Sequence, residues 1–286
     1  MTVAVPLEHP VKDRLLTPAQ RAFWEENGYV IIPNAVPQEN LDAVIDAIWE
    51  FLQVDRDDPE TWYEAPVSRA GMLEMFHHQS LWDNRQHPKI YQAFADVWQQ
   101  EELWVSIDRA NMNPPARTPD WDYNGMFHWD IDTTMRPLPR MVQGVLYLTD
   151  TTADQGGFQC APGFHRQFHE WIKTQPADRN PRRPDPDGLD IRTIPGRAGD
   201  FLIWDSMLPH GNSRNHGTRP RLAQYITMFP PRDEEERRYR IRAWQERLPP
   251  RGDAYPGDPR ELEQKFGKTG QLTGLGRKLL GLEPWA

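Results

Sequence analysis

The sequence predicts a mainly β fold, a sandwich or barrel with flanking helices, and two observations support this prediction. First, six short segments rich in β-branched and aromatic residues follow one another between residues 103 and 229. Second, clusters of Pro, Gly, Asn and Asp separate these segments, and no helical pattern lies between them. A parallel α/β sheet needs a helix between successive strands, so the pattern argues against one.

The N-terminal third is predicted to be mostly helical. The first helix begins at Thr17, which can cap it, has Pro18 in its first turn, and ends at Gly28. In the second helix, apolar side chains recur at the spacing of one helical face. The elements predicted after the first helix are a strand at 29–32 and helices at 38–53 and 88–99.

The six predicted strands cover residues 103–108, 125–131, 141–149, 189–194, 200–205 and 221–229. Residues 175–188 are rich in proline and charge, so we predict a long loop, and the basic stretch 179–183 within it is interpreted as solvated. A helix follows residue 231, and a loose tail follows the helix. No linker or repeat divides the chain. We therefore predict one domain over 1–286, with a helical part at about 1–100, a β core at about 101–230 and a helical tail at about 231–286.

Composition excludes several classes of protein. The chain has 286 residues and a formal net charge of −9, which argues against general affinity for nucleic acid. Its longest apolar stretches fall short of the roughly 20 residues needed to span a bilayer. Cys160 is the only cysteine, and the first residues lack the pattern of a secretory signal. We expect a cytoplasmic protein, monomeric or homodimeric, that acts on a small molecule.

A candidate metal site begins in the predicted strand at 125–131. His128 and Asp130 are two residues apart, so a strand would direct both to one face. His210 follows the predicted strand at 200–205 and can supply a second imidazole. Two histidines and one carboxylate leave adjacent positions open on the ion, as in non-haem iron(II) oxygenases. His-x-Asp pairs also arise by chance in a chain with 9 histidines and 24 aspartates, so a satisfied core pair stays an alternative.

A candidate co-substrate anchor lies eleven residues after His210. Arg221 opens the last predicted strand, and a guanidinium facing inward could hold the far carboxylate of 2-oxoglutarate with two parallel hydrogen bonds. The alternative is that Arg221, two residues after Arg219, lies at the surface at the strand's end.

Together, several motifs resemble the phytanoyl-CoA dioxygenase-like family of iron(II)/2-oxoglutarate oxygenases. The similarity spans roughly residues 17–229. The motifs are ENGYVIIPNAVP after the first helix, FHWD at 127–130, GGFQCAPGFH at 156–165, GD at 199–200, PHGNSRN at 209–215 and RPRLAQ at 219–224.

The resemblance implies a double-stranded β-helix, a jelly-roll or cupin-like barrel. It also implies that His128, Asp130 and His210 bind Fe(II), and that Arg221 binds 2-oxoglutarate, with dioxygen as the third reactant. Some positions depart from the family pattern. Trp129 stands where a glutamine is common, Val145 where a tryptophan is common, Met72 near a family lysine, and Asn212 at a frequent Ser or Thr position.

Other residues have less specific predicted roles. Gln143 and Tyr147 are predicted to contact the co-substrate, together with Asn212, which can donate a hydrogen bond. Residues predicted to contact or line the substrate are Trp129, Asp132 and Arg140. Asp132 is also considered as a support to the metal ligands. His165 is expected to fix a loop, and the spacing of His77, His78 and His169 does not require a metal.

The predicted activity is hydroxylation of an unactivated C–H bond of a small metabolite, with release of succinate and carbon dioxide. The same architecture could instead catalyse desaturation, dealkylation or rearrangement. Halogenation is disfavoured, because halogenases of this type replace the carboxylate ligand by a small residue and this chain has Asp130. A barrel that only binds a ligand is the alternative from a different class of protein.

Overall fold

A computed structural model describes residues 14–65, 71–117 and 125–285. Residues 1–13, where we predicted no secretory signal, lie outside this part of the chain. The α-helices of the described residues are α1 Pro18–Asn27, α2 Gln38–Leu52, α3 Gln79–Arg85, α4 Pro88–Trp98, α5 Phe164–Trp171, α6 Glu234–Glu246, α7 Leu262–Phe266 and α8 Gly274–Leu280. The strands are β1 Tyr29–Ile32, β2 Trp104–Val105, β3 Ala110–Asn113, β4 Val142–Tyr147, β5 Phe158–Cys160, β6 Arg192–Thr193, β7 Phe201–Asp205, β8 His210–Asn212 and β9 Arg221–Phe229.

The predicted start of the fold is confirmed. Thr17 caps α1 in a capping box with Gln20, which satisfies backbone N–H groups at the helix start. Gly28 ends the helix with φ 74°, a left-handed conformation that glycine adopts without steric cost. The chain then enters β1, which pairs with β7 in antiparallel register, Tyr29 opposite Trp204.

The strands form two antiparallel sheets, as expected for a double-stranded β-helix. The major sheet has the order β1-β7-β4-β9-β2, and β3 also pairs with β9. The minor sheet has the order β6-β5-β8. Neighbours in each sheet are far apart in sequence, so most of this pairing is not visible in local patterns.

The major sheet is buried on both faces. On the outer face, Leu146, Ile203 and Ile226 belong to a core that includes the apolar sides of α2 and α4. On the inner face, Val145 and Leu202 belong to a second core that includes strand β5 of the minor sheet. Alternation along each strand therefore separates a helix-packing face from a face that lines the barrel.

Two predictions about elements are wrong. Residues 125–131 do not form a strand: His128 makes an isolated bridge with His210, and the Trp129 N–H binds Arg182 O of a loop instead of another strand. The C-terminal tail is not loose either. It contains α7 and α8, and Leu279 and Leu280 are fully buried in the core beside α6.

The long loop at 175–188 is confirmed as a segment without helix or strand. The elements missed by the sequence analysis are short: α3, α5, β3, β5 and β8. Across the described ranges, none of the helices combines the length and the apolar character needed to cross a membrane.

Candidate metal centre

The three predicted ligands meet at one point. His128 and His210 are held side by side, because the backbone N–H of each donates to the carbonyl of the other at 2.8 and 2.9 Å. This approach needs a glycine at position 125, where a Cβ atom would lie 1.4 Å from Asn212 O. His210 itself lies in β8, so the prediction that it follows a strand as a loop residue is corrected.

The ligand atoms of the three side chains fit one metal ion. His128 Nε2 lies 3.2 Å from Asp130 Oδ1, and His210 Nε2 lies 3.3 Å from Asp130 Oδ2. All three ligand atoms lie within 4.8 Å of one another. Ligands placed about 2.1 Å from an ion and at right angles are about 3 Å apart. Both histidine–aspartate distances are close to this value, one to each carboxylate oxygen, and the donor set is that of a non-haem iron(II) site.

Hydrogen bonds orient both imidazoles. His128 Nδ1 lies 2.7 Å from Met126 O, and His210 Nδ1 lies 3.1 Å from Leu208 O. A carbonyl oxygen can only accept, so Nδ1 of each ring carries the proton and Nε2 presents its lone pair to the common point. Such bonds fix the tautomer and the ring plane of a metal ligand.

Electrostatics favour a cation at the same point. Burial raises the pKa of the Asp130 carboxyl, but hydrogen bonds from His128 and His210 outweigh burial and hold this pKa well below its ordinary value. Burial lowers the pKa of His128, but its hydrogen bond to Asp130 outweighs burial and raises this pKa. Asp130 therefore stays ionised, and a metal ion would replace the proton that it attracts to the His128 imidazole.

Gln143 supports the carboxylate ligand. Its Nε2 donates to Asp130 Oδ2 at 2.7 Å, and its Oε1 is buried without a hydrogen-bond partner among the described residues. The register of β4 brings Gln143 to the inner face opposite Thr227. The side chain that was predicted to contact the co-substrate therefore lies at the metal centre and orients Asp130.

Arg221 is buried inside the barrel and is not at its surface. Its side chain is fully buried, and Nη1 donates to Asn111 Oδ1 at 3.0 Å and to Tyr225 Oη at 3.3 Å. Nε and Nη2 have no partner in the described chain, and no ion pair of Arg221 is found there. A buried guanidinium with free N–H groups is costly unless an anion binds it.

Asn212 belongs to the same network. Its Nδ2 donates to Tyr225 Oη at 3.1 Å, and Tyr225 in turn lies beside Arg221. Tyr147 is directed inward from β4, opposite Ala223, but its hydroxyl donates to Ile194 O at 2.8 Å. Tyr147 thus packs beside this network, and its hydroxyl hydrogen is already used in the bond to Ile194.

The three residues predicted to meet substrate lie elsewhere. Trp129 points away from the ligands: its ring is fully buried among Phe164, Phe168 and Trp171, where it packs the wall behind the site. Asp132 accepts hydrogen bonds from the backbone and hydroxyl of Thr134 and so stabilises a turn.

Arg140 is on the outer side of the sheet. Its guanidinium lies 4.8 Å from the ring centroid of Trp98 at the end of α4. Trp129 thus lies between two ligands in sequence but faces away from them, and Arg140 precedes β4 on the helix-packing side.

The other histidines have structural positions. His165 Nε2 lies 3.1 Å from Glu25 O, so it ties α5 to α1. His78 caps α3. His77 is buried with Nε2 2.8 Å from Leu248 O, and burial lowers its pKa to about 3. Within the described ranges, the three predicted ligands are the only group of three or more His, Cys, Asp and Glu residues placed to hold an ion.

The long loop borders the metal centre. Arg182 O accepts the Trp129 N–H at 2.9 Å, the Arg182 guanidinium hydrogen-bonds Asp130 O, and Arg179 Nη2 donates to Thr133 Oγ1 at 2.7 Å. The basic stretch is therefore not a free solvated loop, because its backbone and two of its arginines hold the segment that carries His128 and Asp130.

Sequence reasoning missed Tyr225, Asn111 and two rings around His210. Tyr225 and Asn111 position the Arg221 guanidinium. Phe158 stacks on the His210 ring at a centroid distance of 5.7 Å, and Trp204 lies at 5.1 Å. Tyr225 could have been found from the period of two along β9, since it shares a face with Arg221. Asn111 and Phe158 lie on strands that were not predicted.

Three comparisons relate the chain to known proteins. The family model for phytanoyl-CoA dioxygenase (PhyH) matches residues 24–223. Ava biosynthesis cluster protein O of Aspergillus versicolor is 27% identical over 245 residues, which cover 76% of this chain and 79% of that protein. The ectoine dioxygenase of Bordetella bronchiseptica is 24% identical over 234 residues, 74% of each chain. The crystal structure of GlcNAc Inducible Gene 2 from Candida albicans superposes with a TM-score of 0.73 at 14% identity, over 96% of this chain and 78% of that chain.

Proposed function

The chain belongs to the phytanoyl-CoA dioxygenase family, and on that premise we propose that it hydroxylates an unactivated C–H bond of a small metabolite, consuming 2-oxoglutarate and dioxygen and releasing succinate and carbon dioxide. The observation that carries this proposal is the pairing of a preformed two-histidine, one-carboxylate centre with a buried arginine on the same inner face. Either feature alone occurs in proteins with other functions. Together they supply the ligands for an iron ion and a cation for the far carboxylate of a 2-oxo diacid.

The metal would be held by His128, Asp130 and His210. Iron bound there supplies the redox chemistry that activates dioxygen. The protein keeps the site in one geometry: carbonyl oxygens fix both imidazole tautomers, and Gln143 fixes the carboxylate. Phe158 and Trp204 pack against His210 and keep water away from one side of it.

The co-substrate would be held by Arg221. Its free Nε and Nη2 can donate two charge-assisted hydrogen bonds to a carboxylate. Tyr225 and Asn111 hold the guanidinium through Nη1, so little side-chain freedom is lost on binding. We infer that 2-oxoglutarate binds with its far carboxylate at Arg221 and its 2-oxo acid end toward the metal.

An anaerobic titration tests the proposal. Iron(II) is added to the purified protein, followed by 2-oxoglutarate, and the weak visible charge-transfer band of the chelate is recorded. We expect the band with the parent protein and its loss in the His210→Ala variant, whereas His169→Ala, an exposed histidine, serves as the matched control and keeps it. Succinate release is then measured with a panel of small metabolites. A fully iron-loaded protein that gives neither the band nor any succinate would refute the assignment.

A further inference from the structure

The C-terminal segment 249–258, which follows the part matched by the family model, docks beside the metal centre. Arg109 forms an ion pair with Glu74, and its Nη2 donates to Ala254 O at 2.7 Å. The same guanidinium lies 4.4 Å from the centroid of the Tyr255 ring. Glu74 Oε2 also accepts from Gly257 N at 2.9 Å. Because Glu74 and Arg109 are nearly buried, these contacts fix the position of Tyr255.

The docking point is on the inner face of the major sheet. Arg109 O accepts the Tyr225 N–H at 3.0 Å, and Tyr225 is opposite Val145 on β4. Adjacent strands are about 4.8 Å apart, so Arg109 lies about 10 Å from the strand whose Gln143 holds Asp130. The segment therefore forms a wall on the inner face of the sheet that also carries the proposed iron site.

Two polar groups of this wall have hydrogen-bonding atoms without a partner among the described residues. Asp108 is half-buried; its Oδ1 accepts the Arg109 N–H at 2.9 Å, and Oδ2 makes no hydrogen bond to the described residues. The Tyr255 hydroxyl, on a half-buried side chain, likewise makes none to them. The charge of Asp108 is the largest cause that raises the pKa of Tyr255, and Asp130 contributes too. Asp108 and Tyr255 therefore border one space beside Arg109, which contacts Asp108 through its N–H and Tyr255 through its guanidinium.

The charges around this space are unbalanced. Arg85 and Arg109 are the nearby cations; Arg85 Nη2 hydrogen-bonds the Asp108 carbonyl. Glu74 pairs with Arg109, while Asp108 and Glu263 both act on Arg85. Asp108 itself forms no ion pair within the described residues, so its half-buried carboxylate keeps an uncompensated negative charge. A bound cation would compensate it.

We propose that Asp108 and Tyr255 form a substrate subsite for a positively charged hydrogen-bond donor, an ammonium group, so that the substrate is an amine. This inference rests on the proposed function, since it assumes that the space between Asp108 and Tyr255 belongs to the active site. Asp108 Oδ2 accepts from the ammonium, and the Tyr255 hydroxyl accepts a second of its hydrogens. Both residues are substrate-binding groups, and Arg109 and Glu74 are positioning residues.

Three probes of equal chain length test the subsite: hexylammonium, 1-hexanol and hexanoate. Each is titrated by calorimetry, without oxygen, into protein loaded with iron(II) and 2-oxoglutarate. We expect hexylammonium to bind at least about tenfold more tightly than 1-hexanol, because one hydrogen bond to a charged group is worth about that factor. Hexanoate should bind most weakly, because Asp108 repels it.

Isosteric variants test whether Asp108 and Tyr255 cause the preference for hexylammonium over 1-hexanol. Asp108→Asn keeps the acceptor for the Arg109 N–H, so the fold is retained; we expect it to lose the preference for hexylammonium over 1-hexanol. Tyr255→Phe should weaken hexylammonium binding, and the exposed control Asp57→Asn should leave it unchanged. Equal affinity for the three probes, a preference for hexanoate, or a preference that survives in Asp108→Asn would overturn the subsite. The charge-transfer band is recorded before each titration: its absence counts against the proposed function, and its presence with no amine preference counts against the subsite alone.

Discussion

Replacing Arg221 by glutamine separates a ligand-binding role from a structural one. The guanidinium is fully buried, and its Nε and Nη2 have no partner among the described residues. If they bind the distal carboxylate of 2-oxoglutarate, their loss removes charge-assisted bonds that contribute about 1.5–3 kcal/mol each. Glutamine can keep one weaker bond. The Kd for 2-oxoglutarate should therefore rise on the order of 10²-fold, since about 1.4 kcal/mol is tenfold.

Thermal or chemical unfolding with and without the co-substrate measures this effect. At a concentration 100 times the parent Kd, 2-oxoglutarate should stabilise the parent protein by about 2.7 kcal/mol. With a Kd raised 100-fold, the same concentration should stabilise Arg221→Gln by only about 0.4 kcal/mol. Without ligand, the free energy of unfolding should change by less than about 1 kcal/mol, because the variant no longer buries an unpaired charge.

Arg240→Gln is the matched control. Arg240 is also buried, but its guanidinium donates to Val105 O and Leu279 O and lies 5.4 Å from the Trp104 ring centroid. Its loss should lower the unliganded stability by about 1–3 kcal/mol, because two carbonyls lose their donor, and should leave the Kd for 2-oxoglutarate unchanged. If Arg221→Gln bound 2-oxoglutarate as well as the parent, or lost stability as Arg240→Gln does, Arg221 would be a structural residue.

Three further predictions concern the metal, the loop and pH. Replacing any of His128, Asp130 and His210 by alanine should abolish turnover with little change in the far-ultraviolet circular dichroism spectrum; more than a few per cent of residual activity in an iron-supplied variant would remove that residue from the ligand set. Loop 175–188 should be cleaved more slowly by a protease once iron, 2-oxoglutarate and substrate are bound, and equal rates would argue against closure over the site. His77 has its pKa lowered to about 3 from 6.5, so its contribution to stability is present above pH 6.5 and is lost as pH falls toward 3. Between pH 7 and pH 5 the parent should lose about 2 kcal/mol more than His77→Gln in urea unfolding, and parallel stability profiles would show that His77 is not buried in its neutral form.

Short-range patterns predicted the elements whose signals are local. The first helix and strand were correct because capping at Thr17 and the left-handed glycine at position 28 depend on a few adjacent residues. Strand β9 was correct at both ends, since a long run of β-branched and aromatic residues is specific to strands. Residues 125–131 have a strand-like sequence as well. Their backbone, however, pairs with one residue of β8 and with a loop, so they do not form a strand.

The sequence by itself determined which side chains can form the centre: a His-x-Asp pair, a distant histidine and an arginine eleven residues later. Tertiary structure decided what surrounds them. It buried Arg221 with two donor atoms that have no partner in the described part of the chain, and it placed Gln143 on Asp130 and Trp129 in an aromatic cluster. It also packed Tyr255 against Arg109, a residue more than a hundred positions earlier in the chain. The physical reason is that ligand identity is a property of single residues and their spacing, whereas burial, free hydrogen-bond donors and local charge balance arise only when segments distant in sequence pack together.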